Sequence, residues 1–403
     1  MLDYVIQVSH HPDAIAPEAW NQLLAQQQLP TPFMRHEYLS ALHQSGSAVP
    51  QTGWTPHFVT LQHPVSNQLL AGCALYAKTH SYGEYVFDWT WANAYGQHGL
   101  AYYPKGLMAV PFTPVTGSRL LASDGASRRA LIQAVQQHAE QQEWSSLHVL
   151  FGADEDIQSC TESAWMTRQT VQFHWENRLP TQEAADTEHW KPFESFDGFL
   201  ASMRQEKRKK IKQERRKVAD AGVRFRAQQG KDISNADWDF FYRCYERTYL
   251  EHGNAPYLSR AFFQQMAQDL PEHWLLFIGE RDNRPIAASL IGISEPPSSH
   301  TTSIKTAWGR YWGALERVDC LHFEACYYQP IEWCIQHQWH RFEGGAQGEH
   351  KLARALMPVA TSSAHWLAHH AFAEAVGRFL GREQEGIANY VNELEQHAPF
   401  KAN

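Results

Sequence analysis

Four stretches of the chain combine residue types that carry out chemistry. The first is FEGGAQGEHKLARALMP, Phe342 to Pro358. Here a strand delivers Glu343 into a loop holding Gly344, Gly345, Gln347 and Gly348. Glu349, His350 and Lys351 then open a helix, and Arg354 follows. Glycines let the backbone approach a ligand closely, and free N–H groups at a helix start attract carbonyl or anionic oxygens. Lys351 adds a point charge suited to phosphate, exposed at the helix entry rather than built into a core. The plainer reading is an ordinary glycine turn with exposed charges. The spacing fits neither the P-loop nor the dinucleotide fingerprint.

The second stretch, GRYWGALERVDCLHFEACYY, carries Tyr311, Trp312 and Gly313 on a strand, then His322 and Glu324. On an extended chain His322 and Glu324 would share a face, a pairing suited to proton transfer. Two ligands do not make a metal site, so no metal is expected. Taken alone, His322 also reads as a satisfied buried histidine. The third stretch, Met203 to Lys217, holds nine Lys or Arg against two Glu. As a helix it would hold a phosphate-rich donor or an RNA backbone through residues such as Lys209 and Lys210, or be a solvated helix steadied by ion pairs. The fourth runs from Ser81 to Leu121. It has the glycines and prolines of a surface loop but many aromatics, which solvent alone would not favour. Trp89, Trp91, Tyr102, Tyr103 and Lys105 are therefore expected to border an acceptor cleft, with plain core packing as the rival. A histidine run, HWLAHH, places His365 and His369 one helical turn apart and reads as a structural, partly exposed face.

The elements that must position these residues follow from pattern. At 403 residues two domains are expected, 1–190 and 191–403, divided at a polar stretch that contains two prolines. Strands are expected at His57 to Gln62, Leu69 to His80, Leu275 to Arg281, Pro285 to Ser294, GRYWGAL and HRFEGG. The DNR tripeptide would join two of them in a tight turn. A long basic helix is expected from about Phe199 to Asp220, stopped by Ala221 and Gly222, and a late helix from about Ser363 to Leu380. LHFEACYY alternates like a strand beside helical neighbours. Each half thus runs helices, a strand hairpin, a helix and a strand, which suggests a repeated α/β unit with mixed sheets.

Composition excludes several classes. Net charge is −8, so general affinity for nucleic acid is not implied. The start of the chain has no basic region followed by an apolar run, and nowhere do 18 apolar residues succeed one another. The six cysteines are scattered without a C-x-x-C pair and read as reduced thiols, so a cytoplasmic protein is expected.

The runs YVFDWTWANAYG, YYPKGLMAVPFTPVTGSRLL, QFHWEN, EKRKKIKQERRKV, GRYWGALERVDCLHFEACYYQPIEW and EGGAQGEHKLARALMP resemble signature blocks of the FemAB-like family of the GNAT superfamily. That resemblance implies two tandem GNAT-like domains and transfer of an acyl or aminoacyl group to an amine, with a cell-wall peptide precursor as candidate acceptor. The donor would be an acyl-CoA or an aminoacyl-tRNA, with no tightly bound cofactor. Tyr311, Trp312, Gly313, Gly344, Gly345, Gln347, Gly348, Lys351, Arg354, Lys209 and Lys210 would then bind the donor, tRNA meeting the basic helix. Backbone N–H groups from Tyr311 to Ala314 would hold the oxyanion, and Glu324, His322 or His350 would take the amine proton. The Gln/Arg-x-x-Gly-x-Gly/Ala pyrophosphate loop of acetyl-CoA enzymes is not found, nor is a charged coiled-coil arm. Two rival functions stand beside this: an acyl-CoA-dependent N-acetyltransferase of small metabolites, and a non-catalytic module that binds peptide or cell-wall fragments.

Overall fold

The structure, a computed structural model, describes residues 4–178, 191–295, 304–346 and 348–401. The chain divides into two compact units. Unit 1 comprises 1–170, 257–262 and 360–389, and unit 2 comprises 171–256, 263–359 and 390–403. The division expected near residue 190 borders residues 179–190, which lie outside the described residues.

Unit 1 begins with β1 (Val5–Ser9), α1 (Pro17–Ala25) and α2 (His36–Gln44). The strands β2 (Trp54–Pro56), β3 (Phe58–Gln62), β4 (Leu69–Cys73) and β5 (Leu75–Lys78) follow. The aromatic stretch is not one loop. It contains α3 (Trp89–Gln97) and β6 (Lys105–Met108), because Trp91, Tyr95 and Tyr102 bury their rings and so organise the backbone around them. Then come β7 (Leu121–Ala122), α4 (Gly125–Gln141), β8 (Ser146–Val149), α5 (Asp154–Glu162) and β9 (Met166–Glu176). One sheet has the order β1-β3-β4-β7; β2, β5, β6 and β8 form a second ladder, in which β6 and β8 run parallel.

Unit 2 carries the basic segment as two helices, α6 (Phe196–Ser202) and α7 (Gln205–Asp220), instead of the one expected. The break at Met203 has a cause: its backbone bridges to Phe400, and Arg204 N–H donates to the Pro399 carbonyl at 2.8 Å. Ile211, Glu214 and Val218 are the buried positions of α7, spaced for one helical face. Gly222, at φ +76°, ends it as expected. Next are β10 (Arg224–Gln229), α8 (Asn235–Glu251), α9 (Arg260–Asp269), β11 (Trp274–Arg281) and β12 (Arg284–Ser294). Ser234 and Asp237 cap α8 reciprocally. The expected tight turn joins β11 to β12, with Asp282 and Asn283 at φ +52° and +59°, the two positive values that a type I′ hairpin needs.

After β13 (Thr306–Ala314) the LHFEACYY run is helical. It comprises α10 (Leu321–Phe323), a π-turn over Glu324–Tyr328 and α11 (Gln329–Gln336). Its buried residues Leu321, Ala325, Tyr328 and Ile331 recur at three to four, and that burial overrides the local alternation. β14 (Arg341–Ala346) then leads through a 3-10 turn, Glu349–Arg354, to β15 (Met357–Leu367) and α12 (His370–Gln396). The expected helix from Ser363 therefore begins later. His365 sits on a strand, buried, where it pairs with His148 of β8. The sheet of unit 2 has the order β10-β11-β12-β13-β14, completed by residues 172–176 of β9.

Candidate functional site

Strands β13 and β14 run parallel but stay paired for only three residues: Thr306 with Arg341, Ala307 with Phe342 and Trp308 with Glu343. Beyond that they part. On its other side β13 is bulged, since Leu290 faces Tyr311 while Ile291 faces Gly309, leaving Arg310 as an extra residue. β14 breaks its ladder with β9 between Glu343 and Ala346. A bulge bends its strand and sharpens the twist, so two bulged neighbours diverge into a wedge. Glycine is needed at the fork. A Cβ on Gly344 would lie 2.3 Å from Leu356, and one on Gly309 would lie 3.3 Å from the Phe342 ring.

A cavity of about 150 Å³ fills the fork, lined by Tyr311, Trp312, His322, Tyr327, Phe342 and Gly344 among others. Four sequence candidates are thus brought together. Past Trp308 no strand pairs with the β14-facing edge of β13 among the described residues. Backbone groups on such an edge seek partners, and a carbonyl-bearing ligand can supply them. The Trp312 carbonyl is already engaged, accepting from Thr248 Oγ1 at 3.0 Å.

The His322 ring packs edge-on against Trp312 and Tyr327, at 5.4 and 5.6 Å. Burial, with the charges of Arg354 and Lys351 and the His350 ring nearby, pushes its pKa down to about 4, so it stands neutral at pH 7. Tyr327, which the sequence did not single out, presents its hydroxyl 3.2 Å from Nε2 of exposed His350. Cys326 and Ser289 also reach the cavity, and burial raises the Cys326 thiol to about 12, well away from a nucleophile. Cys326 and Tyr327 lie on the π-turn, which has no sequence signature.

Glu324 is not beside His322, because the segment is a helix and not the extended chain that would align them. It points into a separate pocket of about 790 Å³. There its carboxylate accepts from Arg215 Nε at 3.1 Å and from Gln329 at 2.7 Å, while Arg215 also meets Glu332 at 2.6 Å. Burial raises the Glu324 pKa despite Arg215.

The expectation of an exposed Lys351 is corrected. The residue is 6% exposed, and its ammonium donates to the carbonyls of Gly344, Gly345 and Ala346 at 2.6, 3.2 and 2.7 Å. Burial draws its pKa down to about 8. Lys351 therefore ties the glycine loop to its own turn. Arg354 is likewise internal: it pairs with Glu214 at 2.8 Å, donates to the His350 carbonyl at 2.6 Å and lies 3.5 Å over the Phe323 ring. Gly313 serves packing, since its Cβ would fall 1.9 Å from the Cys244 carbonyl oxygen of α8. Gly345 and Gly348 take positive φ of +73° and +96°, and Gln347 lies outside the described residues. Lys209 and Lys210 are exposed on α7, whereas the cations of that helix at the larger pocket are Lys212, Arg215 and Arg216.

The acceptor candidates sit in unit 1, where the core reading prevails for most. Trp91 and Tyr102 pack with Tyr95, Leu367, Val376 and Leu380. Lys105 is fully buried and donates to Glu84 at 2.7 Å, Ser81 at 2.8 Å and also Asp88. Tyr103 is half-buried, and Trp89, 39% exposed, is the most open of the five.

No curated protein matches the chain in sequence. Among solved structures, the C-terminal domain of a putative lysylphosphatidylglycerol synthetase from Agrobacterium fabrum is 8% identical, with a TM-score of 0.51 over 89% of this chain and 94% of that one. L-PGS from Bacillus licheniformis is 9% identical, with a TM-score of 0.51 over 93% and 99%. FemX is 9% identical, with a TM-score of 0.49 over 92% and 100%. At such identities the likeness concerns fold alone, and the fold is of the mixed α/β class expected. A family profile described as peptidoglycan biosynthesis/recognition matches residues 11–402, and the chain belongs to that FemAB-like family.

Proposed function

We propose that unit 2 transfers an acyl or aminoacyl group to an amine at the wedge between β13 and β14. The observation that carries this reading is the parting of two parallel strands, which stay paired only to Trp308 and Glu343, beside a cavity lined by Tyr311, Trp312, Tyr327 and His322. A donor carbonyl inserted where the strands part meets backbone donors of β13 in a fixed orientation, and such a donor is worth about 10²–10³ in rate. The leaving thiolate or alkoxide takes a proton from Tyr327, and exposed His350 behind it restores that proton from solvent. Neutral His322 orients this aromatic wall. Lys351 and Arg354 contribute by holding the loop and not by touching donor phosphates.

The donor is an acyl-CoA or an aminoacyl-tRNA, the latter reaching the exposed Lys209 and Lys210 on α7. The acceptor is an amine of a cell-wall peptide precursor. A thermal-shift screen with CoA thioesters and aminoacyl-tRNA tests the reading, since a ligand at 100 times its dissociation constant stabilises by about 2.7 kcal/mol. Stabilisation by neither donor, together with no transfer to a lysine-containing peptide, refutes it.

A further inference from the structure

The larger pocket of unit 2, about 790 Å³, takes no part in the reading above. Its volume lies in the range of pockets that hold small organic ligands. Two helices supply its walls. On α7, Lys212, Arg215, Arg216 and Ala219 recur at three and four, so one helical face turns toward the space. On α11, Gln329, Glu332 and Gln336 do the same, and Glu324 stands on the π-turn before them. One wall is therefore basic and the other acidic and amide-bearing. An apolar base completes the pocket, made by buried Phe196 and Leu200 of α6, Val218 of α7 and Val223.

Arg215 joins the two walls. Its Nη2 reaches Glu324 at 3.0 Å and Glu332 at 2.6 Å, and its guanidinium lies 4.6 Å over the Phe196 ring. Other charges around it stay open. Among the described residues, the side chains of Arg216 and of Arg224 on β10 have neither a hydrogen-bond nor an ion-pair partner. Lys212 meets Asp197 at 3.1 Å, but both are well exposed, and such a pair holds weakly. Glu332 gives Arg215 its Oε2 and keeps Oε1. Glu324, by contrast, is fully engaged by Arg215 and Gln329.

A simple anion would meet the acids here as well as the arginines, and a simple cation would meet the arginines as well as the acids. A molecule carrying both charges is matched by both walls, and an apolar middle is matched by the base. We infer that this pocket binds a short peptide with free termini. Arg216 and Arg224 hold its carboxylate, the open oxygen of Glu332 holds its ammonium, and Phe196 and Val218 receive an apolar side chain. The volume suits a ligand of drug size, which for a peptide means a few residues and not one. The inference is independent of the acyl-transfer reading, because it concerns binding by residues that take no part at the fork.

Isothermal titration calorimetry on the full chain tests it, with Ala-Leu-Ala as the probe. The comparisons are the N-acetylated peptide, the C-amidated peptide, free leucine and inorganic pyrophosphate. Ala-Leu-Ala should bind, and capping either terminus should weaken it about tenfold or more, as expected for a lost hydrogen bond to a charged group. Replacing both arginines, Arg216→Gln with Arg224→Gln, should cause the same loss for the free carboxylate and none for the amide. Both arginines are exposed, so the unfolding midpoint should stay where it is. If that double variant unfolds, the capped peptides still make the discrimination on wild type. Absence of heat with any peptide, or equal binding of free and capped forms, overturns the inference. So does pyrophosphate binding more tightly than Ala-Leu-Ala and losing affinity with the arginines, which marks an anion site. Free leucine binding as tightly as the tripeptide overturns the assignment of a peptide.

Discussion

Replacing Lys351 by alanine separates two roles that the sequence could not tell apart. An exposed cation waiting for phosphate would leave stability within about 0.5 kcal/mol of wild type, as surface changes do. The structure instead spends the ammonium on three carbonyls, two of them at 2.6 and 2.7 Å. A hydrogen bond to a charged group contributes about 1.5–3 kcal/mol net, so losing two short ones costs about 3 kcal/mol or slightly more. The third, at 3.2 Å, is weaker and adds little. With a guanidinium slope of roughly 2–6 kcal/mol per molar, the unfolding midpoint of unit 2 should fall by about 0.5–1.5 M. Tryptophan fluorescence reports the transition, and amide exchange from Gly344 to Leu356 should speed up more than that of β11 and β12. Donor affinity should fall too, because Gly344 shapes the fork. A midpoint unchanged within error, together with lost donor binding, would refute this account and restore Lys351 as a ligand-facing cation.

Gly313→Ala should destabilise unit 2 by about 3 kcal/mol, since the new Cβ would sit 1.9 Å from the Cys244 carbonyl oxygen and α8 must move; chemical denaturation measures it. Lys105→Met should cost unit 1 about 3–5 kcal/mol by leaving the Glu84 and Asp88 carboxylates buried without their cation, seen as a lower melting temperature. Glu343 carries a pH signature of definite sign. Its folded pKa of about 7 exceeds its ordinary 4.5, so the stability it contributes is full below pH 4.5 and lost as pH rises to 7. That loss is about 3 kcal/mol at most, so Glu343→Gln should flatten the pH dependence of stability between 4.5 and 7 by up to this amount, measured by denaturation at several pH values.

Much of the fold could be read from the chain because its signals are local. Positive φ at Asp282 and Asn283 is a property of those residue types in a two-residue turn, and Gly222 after an α-helix is another. The strands of unit 2 up to β14 follow from their own composition, and family membership follows from long blocks of sequence. No helix among the described residues is long and apolar enough to cross a membrane, in keeping with the lack of any long apolar run.

The site was half legible. Sequence named Tyr311, Trp312, His322 and Gly344, and these do meet at the fork. What pairs with what was decided elsewhere. The LHFEACYY run alternates, yet burial of Leu321, Ala325, Tyr328 and Ile331 wound it into a helix, which parted Glu324 from His322 and brought Tyr327 inward. Lys351, Arg354 and Lys105 look like free cations in one dimension, and each is consumed by carbonyls or carboxylates folded around it. Glu343 is an ordinary strand residue in sequence, and only the pairing of β14 with β9 and β13 buries its carboxyl, with Trp308 and His174 as its register partners. Residue type sets which charge a side chain carries and which backbone angles it favours. Whether that charge is spent inside the fold depends on neighbours distant in sequence, and those are specified only when the chain has packed.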